Sequence, residues 1–325
     1  MSRTVECQLC PRHCRLKNGQ RGNCRARMNI DGKLVSLVYG RPCAVHVDPI
    51  EKKPMFHVLP QSGSFSIATA GCNGHCKYCQ NWQISQREPE ELNNYDLPPE
   101  AVVASAIKNN CRSIAYTYSD PIIFYEYMYD TAQMAHKNNL LNVMVTAGYI
   151  EQQPLLDLCP VIDAANVDFK AITDDTYINL TTMHMQPVQN TIRTMKKKNV
   201  WVELTNLVIP TWNDKDEDFR AMARWIRDEA GADTPLHFSR FWPMHQLLNL
   251  PPTPVDTLTR AWEIARAEGL HYVYVGNVPG HQGNNTYCPN DGKLLLKRRG
   301  YMILENNIVD GKCKFCGTTI AGIWE

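Results

Sequence analysis

Three cysteines fall within eight residues, directly after a segment that predicts a β-strand. The segment SFSIATA (64–70) runs into Cys72, Cys76 and Cys79. Three thiolates from one loop can bind one metal cluster, whereas a closed structural metal site uses four ligands. The set therefore predicts an iron–sulfur cluster with one iron open for chemistry. The alternative is a zinc site that His75 or a more distant residue completes.

Strands and helices alternate from about residue 64 to residue 277. This alternation is typical of parallel strands joined by right-handed helical crossovers. Ligands of such folds gather at the carboxyl ends of strands, where the cysteine triplet lies. The predicted fold class is therefore α/β, a partial or complete (β/α) barrel, with a doubly wound open sheet as the alternative. Predicted strands are 64–70, 112–118, 141–147, 164–171, 200–209, 235–241 and 271–276, and predicted helices are 101–109, 122–136, 174–183, 187–198, 216–230 and 255–268.

Small cysteine-rich modules are expected on both sides of the barrel. The predicted domains are an N-terminal module (1–60), the barrel (61–280) and a C-terminal module (281–325). Four cysteines of the N-terminal module could form a closed site for zinc or for a second iron–sulfur cluster. They are Cys7, Cys10, Cys14 and Cys24.

The C-terminal module has the paired-knuckle layout of a zinc ribbon, with a carboxylate in place of one cysteine. Its candidate zinc ligands are Cys288, Asp291, Cys313 and Cys316. Carboxylate oxygen can bind zinc, and a module held by packing without metal is the alternative. The remaining cysteines are expected to be small buried hydrophobic residues; they are Cys43, Cys111 and Cys159.

The composition limits the classes of partner. Lys and Arg number 34 and Asp and Glu 33, a formal net charge of +1, so no nucleic-acid or membrane partner is expected. No apolar run approaches the roughly 20 residues that span a bilayer, and no secretory signal pattern opens the chain. Thirteen cysteines in a reducing compartment indicate metal rather than disulfides. A cytoplasmic location is expected.

Several segments together resemble a known family. The triplet has the pattern CxxxCxxC with an aromatic residue, Tyr78, before its third cysteine. The accompanying segments are DPIEKKPMFH (48–57), CQNWQIS (79–85), YTYSDP (116–121), NVDFK (166–170) and YVYVGNVPG (272–280). Over essentially its whole length the chain resembles the radical SAM superfamily. Within it, the chain looks like the radical SAM enzyme of the AmmeMemoRadiSam system, a relative of the pyruvate formate-lyase activating enzymes.

The resemblance implies a barrel of the radical SAM type and a metal-binding oxidoreductase of the activating-enzyme kind. S-adenosyl-L-methionine (SAM) would bind the open iron of a [4Fe-4S] cluster at the triplet. Its reductive cleavage would give a 5′-deoxyadenosyl radical that abstracts hydrogen, with the cofactor supplying the chemistry. A flavodoxin- or ferredoxin-like donor would provide the electron. The substrate is unidentified: a protein glycine, as in glycyl-radical activation, competes with a small molecule or another protein side chain.

The resemblance also assigns residues to SAM, and it identifies no catalytic side chain beyond the cluster and SAM. In the family, the turn matching Ser119–Asp120 meets the amino group, and the strand end matching Asp168 and Lys170 fixes the methionine portion. The implied SAM contacts are Tyr78, Ser119, Asp120, Thr146, Asp168, Lys170, Gly276, Asn277 and Val278. The chain departs from the family where Asp120 replaces a usual Glu, Ala147 a usual Asn, and Asp291 a Cys. From the sequence alone, Asp168 and Lys170 could equally form an ion pair inside the barrel.

Two further hypotheses concern the substrate and the class of protein. A flap over the open mouth could be formed by His46, Asp48, Glu51, Lys52, Lys53 and His57, and a substrate could be held by His237, Arg240 and His245. The alternative class is a non-enzymatic multi-zinc protein that binds RNA or a partner protein. Cleavage of SAM by the iron-reconstituted protein distinguishes the two classes.

Overall fold

The N-terminal module contains two short hairpins. The computed structural model describes residues 4–325, so the first three residues of the predicted N-terminal module lie outside the described residues. Asp31 and Gly32 have φ angles of 51° and 81°, as in the two-residue turns that suit twisted hairpins. The hairpins pair β1 (Val5–Glu6) with β2 (Arg15–Leu16) and β3 (Arg27–Ile30) with β4 (Lys33–Ser36).

An open sheet of eight strands forms the frame of the molecule. Its strands are β5 (Ala44–Pro49), β6 (Gly63–Ala68), β7 (Ser113–Tyr116), β8 (Leu141–Thr146), β9 (Ala164–Asp168), β10 (Trp201–Val208), β11 (Leu236–Arg240) and β12 (Val273–Gly276). They lie side by side in chain order, parallel from β6 to β12, with β5 antiparallel to β6. The order never reverses, so the doubly wound alternative is wrong. Among residues 4–325, no strand pairs with the outer side of β5 or β12 in this sheet, which confirms the α/β class as a partial barrel.

Helices cover one face of this sheet. They are α1 (Trp82–Ser85), α2 (Pro99–Lys108), α3 (Tyr125–Lys137), α4 (Gln152–Leu158), α5 (Asp174–Thr181), α6 (Met185–Lys197), α7 (Asp216–Glu229) and α8 (Val255–Ala267). Phe65 and Ile67 of β6 belong to the core beneath the helices, so the alternating Ser64 and Ser66 face the concave side. Within residues 4–325, no helix has the length and apolar character needed to cross a membrane.

A buried polar network closes the concave side at the amino ends of the strands. Glu203 accepts the backbone N–H of His57 at 2.8 Å, and its other oxygen lies 2.7 Å from His237 Nε2. The ring nitrogens of His57 lie 2.6 Å from the carbonyl oxygen of Ala321 and from Tyr274 Oη. Burial lowers the pKa of His57 to about 4, which keeps its ring neutral. His237 thus belongs to the closed end of the barrel and not to the mouth.

The C-terminal module docks beside this closed end. Arg298 donates to the carbonyl oxygen of Phe56 at 3.0 Å, and its guanidinium carbon lies 4.2 Å from the centre of the Phe56 ring. The module contains a three-stranded sheet and a small hairpin. Its strands are β13 (Thr286–Tyr287), β14 (Leu294–Arg299), β15 (Met302–Asn306), β16 (Ile308–Val309) and β17 (Lys312–Cys313).

Candidate functional site

The loop that carries Cys72, Cys76 and Cys79, called the cysteine loop below, follows β6 at the carboxyl ends of the strands. Backbone hydrogen bonds hold it to two neighbours: Gly71 N–H donates to Ile84 O at 2.9 Å, and Lys77 N–H to Leu180 O at 2.9 Å. Gly71 has a φ of +92°, and a Cβ built on it would lie 2.2 Å from the carbonyl oxygen of Cys24. The loop is therefore fixed between the barrel helices and the N-terminal module.

The three loop cysteines carry free thiols in an environment that suits an iron–sulfur cluster. The backbone N–H of Gly74 donates to Cys72 Sγ at 3.4 Å, and Cys79 Sγ lies 3.2 Å from Ser85 Oγ. Burial raises the pKa of the Cys76 thiol to about 11 and that of Cys72 further. Bound iron would offset this cost, because a metal stabilises the thiolate form of its ligands. The donor set therefore fits a cluster.

Two observations disfavour zinc at the triplet. Sulfurs on one tetrahedral zinc lie about 3.8 Å apart, since each Zn–S bond is about 2.3 Å. Among the described residues, only the C-terminal group brings three or more candidate ligand atoms within 4.8 Å of one another. His75, the proposed fourth ligand, has Nδ1 2.7 Å from Gln86 Oε1 and Nε2 2.6 Å from Asn23 Oδ1. Both of its nitrogens are thus engaged away from the cysteines.

The end of β9 places an ion pair between buried Lys170 and half-buried Asp168 beside the cysteine loop. Lys170 Nζ lies 2.9 Å from Asp168 Oδ2 and 5.6 Å from the centre of the Tyr78 ring. Burial opposes the charge of Lys170, but Asp168, Tyr78 and Cys76 outweigh it and raise its pKa well above the usual value. The structure therefore brings these implied SAM contacts together with the triplet.

Asp120 links the ends of β7 and β8. One carboxylate oxygen accepts from Ile122 N–H and the Thr146 hydroxyl at 3.1 Å each, and the other accepts from Ala147 N–H at 2.9 Å. Burial raises the pKa of Asp120. The neighbouring Ser119 hydroxyl donates to a backbone carbonyl at 2.8 Å. Asp120 thus has hydrogen-bond partners within the protein on both oxygens.

Replacing Asp120 with alanine is expected to cost about 2–4 kcal/mol of unfolding free energy, because buried donors lose their acceptor. Anaerobic urea unfolding of the reconstituted protein measures the loss. Exposed Asp96 provides the control, since Asp96→Ala should stay within about 0.5 kcal/mol of wild type. Equal stability of the two variants would show that the Asp120 hydrogen bonds contribute little.

The turn Gly276–Val278 lies at the end of the edge strand β12. Asn277 adopts a φ of +60°, and its Nδ2 donates to Ser239 Oγ at 3.0 Å. This places the turn against the end of β11, near the opposite edge of the sheet from β6, which the cysteine loop follows. It is separated from the Asp168–Lys170 pair by two strands.

The loop after β11, from which the sequence singled out only His245 as a candidate substrate contact, covers part of the cysteine loop. After β11, Gln246 N–H donates to Lys77 O at 2.8 Å, and the His245 ring stacks on Trp82 with centres 5.3 Å apart. The same loop leaves Trp242 49% and Leu248 70% exposed. The sequence signal for this loop was the apolar, proline-containing run FWPMHQLLNLPPTP (241–254). The run follows a strand and has no helical periodicity.

The segment expected to form a flap belongs instead to the sheet and the polar interior. His46 and Asp48 lie on β5, and Lys53 Nζ forms a 2.6 Å ion pair with Asp48. Tyr118 also donates to this carboxylate. Burial lowers the pKa of Lys53 to about 8. The flap hypothesis is wrong because pairing with β6 fixes residues 44–49, and the ion pair of Lys53 and the hydrogen bond of His57 to Glu203 hold the residues that follow.

Comparisons with known proteins agree with this geometry. A sequence model of the Radical SAM superfamily matches residues 66–226. The uncharacterized protein MJ0808 of Methanocaldococcus jannaschii is 47% identical over 318 residues, covering 97% of this chain and 95% of that protein. Pyruvate formate-lyase 1-activating enzyme of Escherichia coli is 24% identical over 164 residues, 49% of this chain and 66% of that enzyme. A radical SAM methyltransferase from Sphaerobacter thermophilus shares the fold, with a TM-score of 0.51 and 18% identity over 72% of this chain and 71% of its own. The chain is an enzyme and belongs to the radical SAM superfamily.

Proposed function

We propose that Cys72, Cys76 and Cys79 hold a [4Fe-4S] cluster that binds SAM, and that the enzyme abstracts hydrogen from a polypeptide, with glycine as the target residue. When bound, the cluster and SAM supply a 5′-deoxyadenosyl radical by one-electron reductive cleavage. A reduced donor of the flavodoxin or ferredoxin class provides the electron. The chain provides the thiolates, the SAM contacts and a site closed to water.

The convergence of the strand ends supports the proposed SAM-binding roles. We assign Asp168 and Lys170 to the methionine portion, because this ion pair adjoins Tyr78 and Cys76. Tyr78 contributes its backbone to the adenine, together with Gly276–Val278. Ser119, Asp120 and Thr146 shape the amino-group side. Since Asp120 is engaged on both oxygens, it orients the turn rather than reaching SAM directly.

One observation carries the polypeptide assignment. The loop after β11 contacts the cysteine loop through Gln246 and exposes Trp242 and Leu248 beside it. Arg240 lies 4.7 Å from the centre of the Trp242 ring. Exposed aromatic and arginine side chains at one place are typical of protein-binding surfaces. The similarity to an activating enzyme of a glycyl-radical system supports the same assignment.

Isotope transfer tests this proposal. Cell protein labelled with deuterated glycine is split by size into macromolecules and filtrate, and each fraction is given to the reduced enzyme with SAM. Deuterium in 5′-deoxyadenosine is expected only with the macromolecular fraction. Protein labelled with deuterated alanine provides the control. Deuterium transfer from the filtrate alone, or equally from both labels, would overturn the assignment of a protein glycine.

We also propose that the C-terminal module binds one zinc ion. The ligand atoms of Cys288, Asp291, Cys313 and Cys316 all lie within 4.8 Å of one another, close to the spacing on a tetrahedral zinc. The sulfurs of Cys288 and Cys316 are 3.6 Å apart. Hydrogen bonding to Thr318 lowers the pKa of the Cys316 thiol to about 7, which favours a thiolate. Zinc here would fix the module against the closed end of the barrel.

Asp291→Ala is expected to weaken zinc binding by at least about 100-fold, since loss of a direct ligand exceeds the loss of an outer-shell partner. Competition with a colorimetric chelator measures the change. Asp291→Cys should retain tight binding, which separates ligand loss from misfolding. Asp310→Asn, in the same module, should leave the affinity unchanged. Equal affinity of Asp291→Ala and wild type would contradict ligation by this carboxylate.

A further inference from the structure

The four N-terminal cysteines surround one cavity. Cys7, Cys10, Cys14 and Cys24 all line it, and it is partly open to solvent. The cysteines come from the β1–β2 hairpin and the turn before β3, so the hairpins bring them together. Cys7 and Cys24 are buried and Cys10 and Cys14 partly buried. None of the four forms a disulfide.

The spacing of these thiols differs from that of the C-terminal group. Within residues 4–325, the C-terminal group alone has three or more ligand atoms within 4.8 Å of one another. On one zinc the sulfurs would lie about 3.8 Å apart around the ion, and the N-terminal sulfurs do not form a group that compact. In a [4Fe-4S] cluster each thiolate binds a different iron. Four thiols around a shared cavity match that arrangement.

A buried cation with spare hydrogen-bonding capacity lies against the same cavity. Arg27 lines it and is 5% exposed. Two of its guanidinium nitrogens pair with Glu126, while its buried Nε has no hydrogen-bond partner in the described part of the chain. A cluster with negative charge and sulfur acceptors would satisfy this cation.

The cavity directly adjoins the triplet. Arg12 and Asn73 both line it, and Arg12 Nε donates to the carbonyl oxygen of Asn73 at 2.5 Å. Asn73 is the residue after Cys72. On the other side, the carbonyl oxygen of Cys24 is pressed against Gly71. The two cysteine sets are thus in direct backbone contact.

We infer that the N-terminal cysteines hold a second [4Fe-4S] cluster that passes electrons to the cluster at the triplet. The electron transfer to the triplet cluster rests on the proposed function. One electron moves from a reduced flavodoxin- or ferredoxin-class donor to the N-terminal cluster. It then moves to the triplet cluster, which leaves the N-terminal cluster oxidised again. No bond or proton is transferred. Four cysteine ligands leave this cluster without an open iron, which suits electron transfer rather than SAM binding.

Metal analysis tests the site independently of SAM chemistry. The triple variant Cys72→Ala/Cys76→Ala/Cys79→Ala is reconstituted anaerobically with iron and sulfide in the presence of zinc. About four irons and four sulfides per chain are expected, with about eight irons for wild type. The reduced triple variant should show an electron paramagnetic resonance signal that SAM does not alter. An iron-free triple variant that holds zinc would overturn the second cluster, whatever the outcome for SAM cleavage.

The electron relay from the N-terminal cluster to the triplet cluster is tested with the double variant Cys10→Ser/Cys14→Ser. Its SAM cleavage is measured with dithionite and with reduced flavodoxin, and the ratio of the flavodoxin rate to the dithionite rate is compared with wild type. A fall of at least about tenfold in this ratio is expected, equivalent to about 1.4 kcal/mol. A purely structural role would lower both rates together and leave the ratio unchanged, which would overturn the relay. A SAM-sensitive resonance signal in this variant confirms that the triplet cluster is assembled.

Discussion

Replacing Cys76 with alanine is expected to lower SAM cleavage by at least about a thousandfold, roughly 4 kcal/mol of transition-state stabilisation. The reason is that Cys76 is the middle thiol of the three proposed to hold the cluster, beside the Asp168–Lys170 pair. With two thiolates left, the loop cannot hold the cluster in place. The measurement is 5′-deoxyadenosine formed by the anaerobic, dithionite-reduced enzyme.

Cys43 provides a matched control for this variant. Burial raises the pKa of its thiol to about 11, as it does for Cys76, but Cys43 lies just before β5 and outside the triplet. Cys43→Ala should retain SAM cleavage within about twofold of wild type. The Cys76 variant should keep the metal of both flanking modules. A Cys76 variant that lost only zinc, or that cleaved SAM at a tenth of the wild-type rate, would contradict the cluster assignment.

The parallel strands could be predicted because helices separate them and most residues of strands such as β7 and β8 are apolar and buried. The edge strand β5 was missed for a physical reason. Its sequence, AVHVDP, contains histidine, aspartate and proline, which an edge strand paired on one side tolerates and which also indicate a loop. Helix α4 was missed because seven residues with proline at the third position show no clear helical period.

The distances between side chains of remote segments could not be predicted from the sequence. In the sequence, the N-terminal and C-terminal cysteine sets both look like four-ligand metal sites. Only the fold shows that the C-terminal set forms a compact group of ligand atoms and the N-terminal set does not. His75 lies between two cysteines of the triplet, yet Gln86 and Asn23 engage its ring. These contacts depend on how the N-terminal module packs on the cysteine loop, and local patterns do not encode that packing.

Gly71→Ala is expected to destabilise the protein by about 3 kcal/mol or more, the sum of a positive-φ penalty and overpacking. The new Cβ would lie 2.2 Å from the Cys24 carbonyl oxygen. Neither side can move freely, because Gly71 N–H is bonded to Ile84 O at 2.9 Å and Cys24 is buried. Anaerobic chemical unfolding of the reconstituted protein measures the loss.

A Gly231→Ala variant separates the positive-φ penalty from the overpacking. Gly231 has a φ of +97°, close to that of Gly71, but a Cβ built on it has no atom within 4 Å. Gly231→Ala should therefore lose only the backbone penalty, about 1–2 kcal/mol. The difference between the two variants then measures the contact between the cysteine loop and the N-terminal module. If both lost the same free energy, the modules would separate at little cost. The direct contact on which the electron relay depends would then not be maintained in solution.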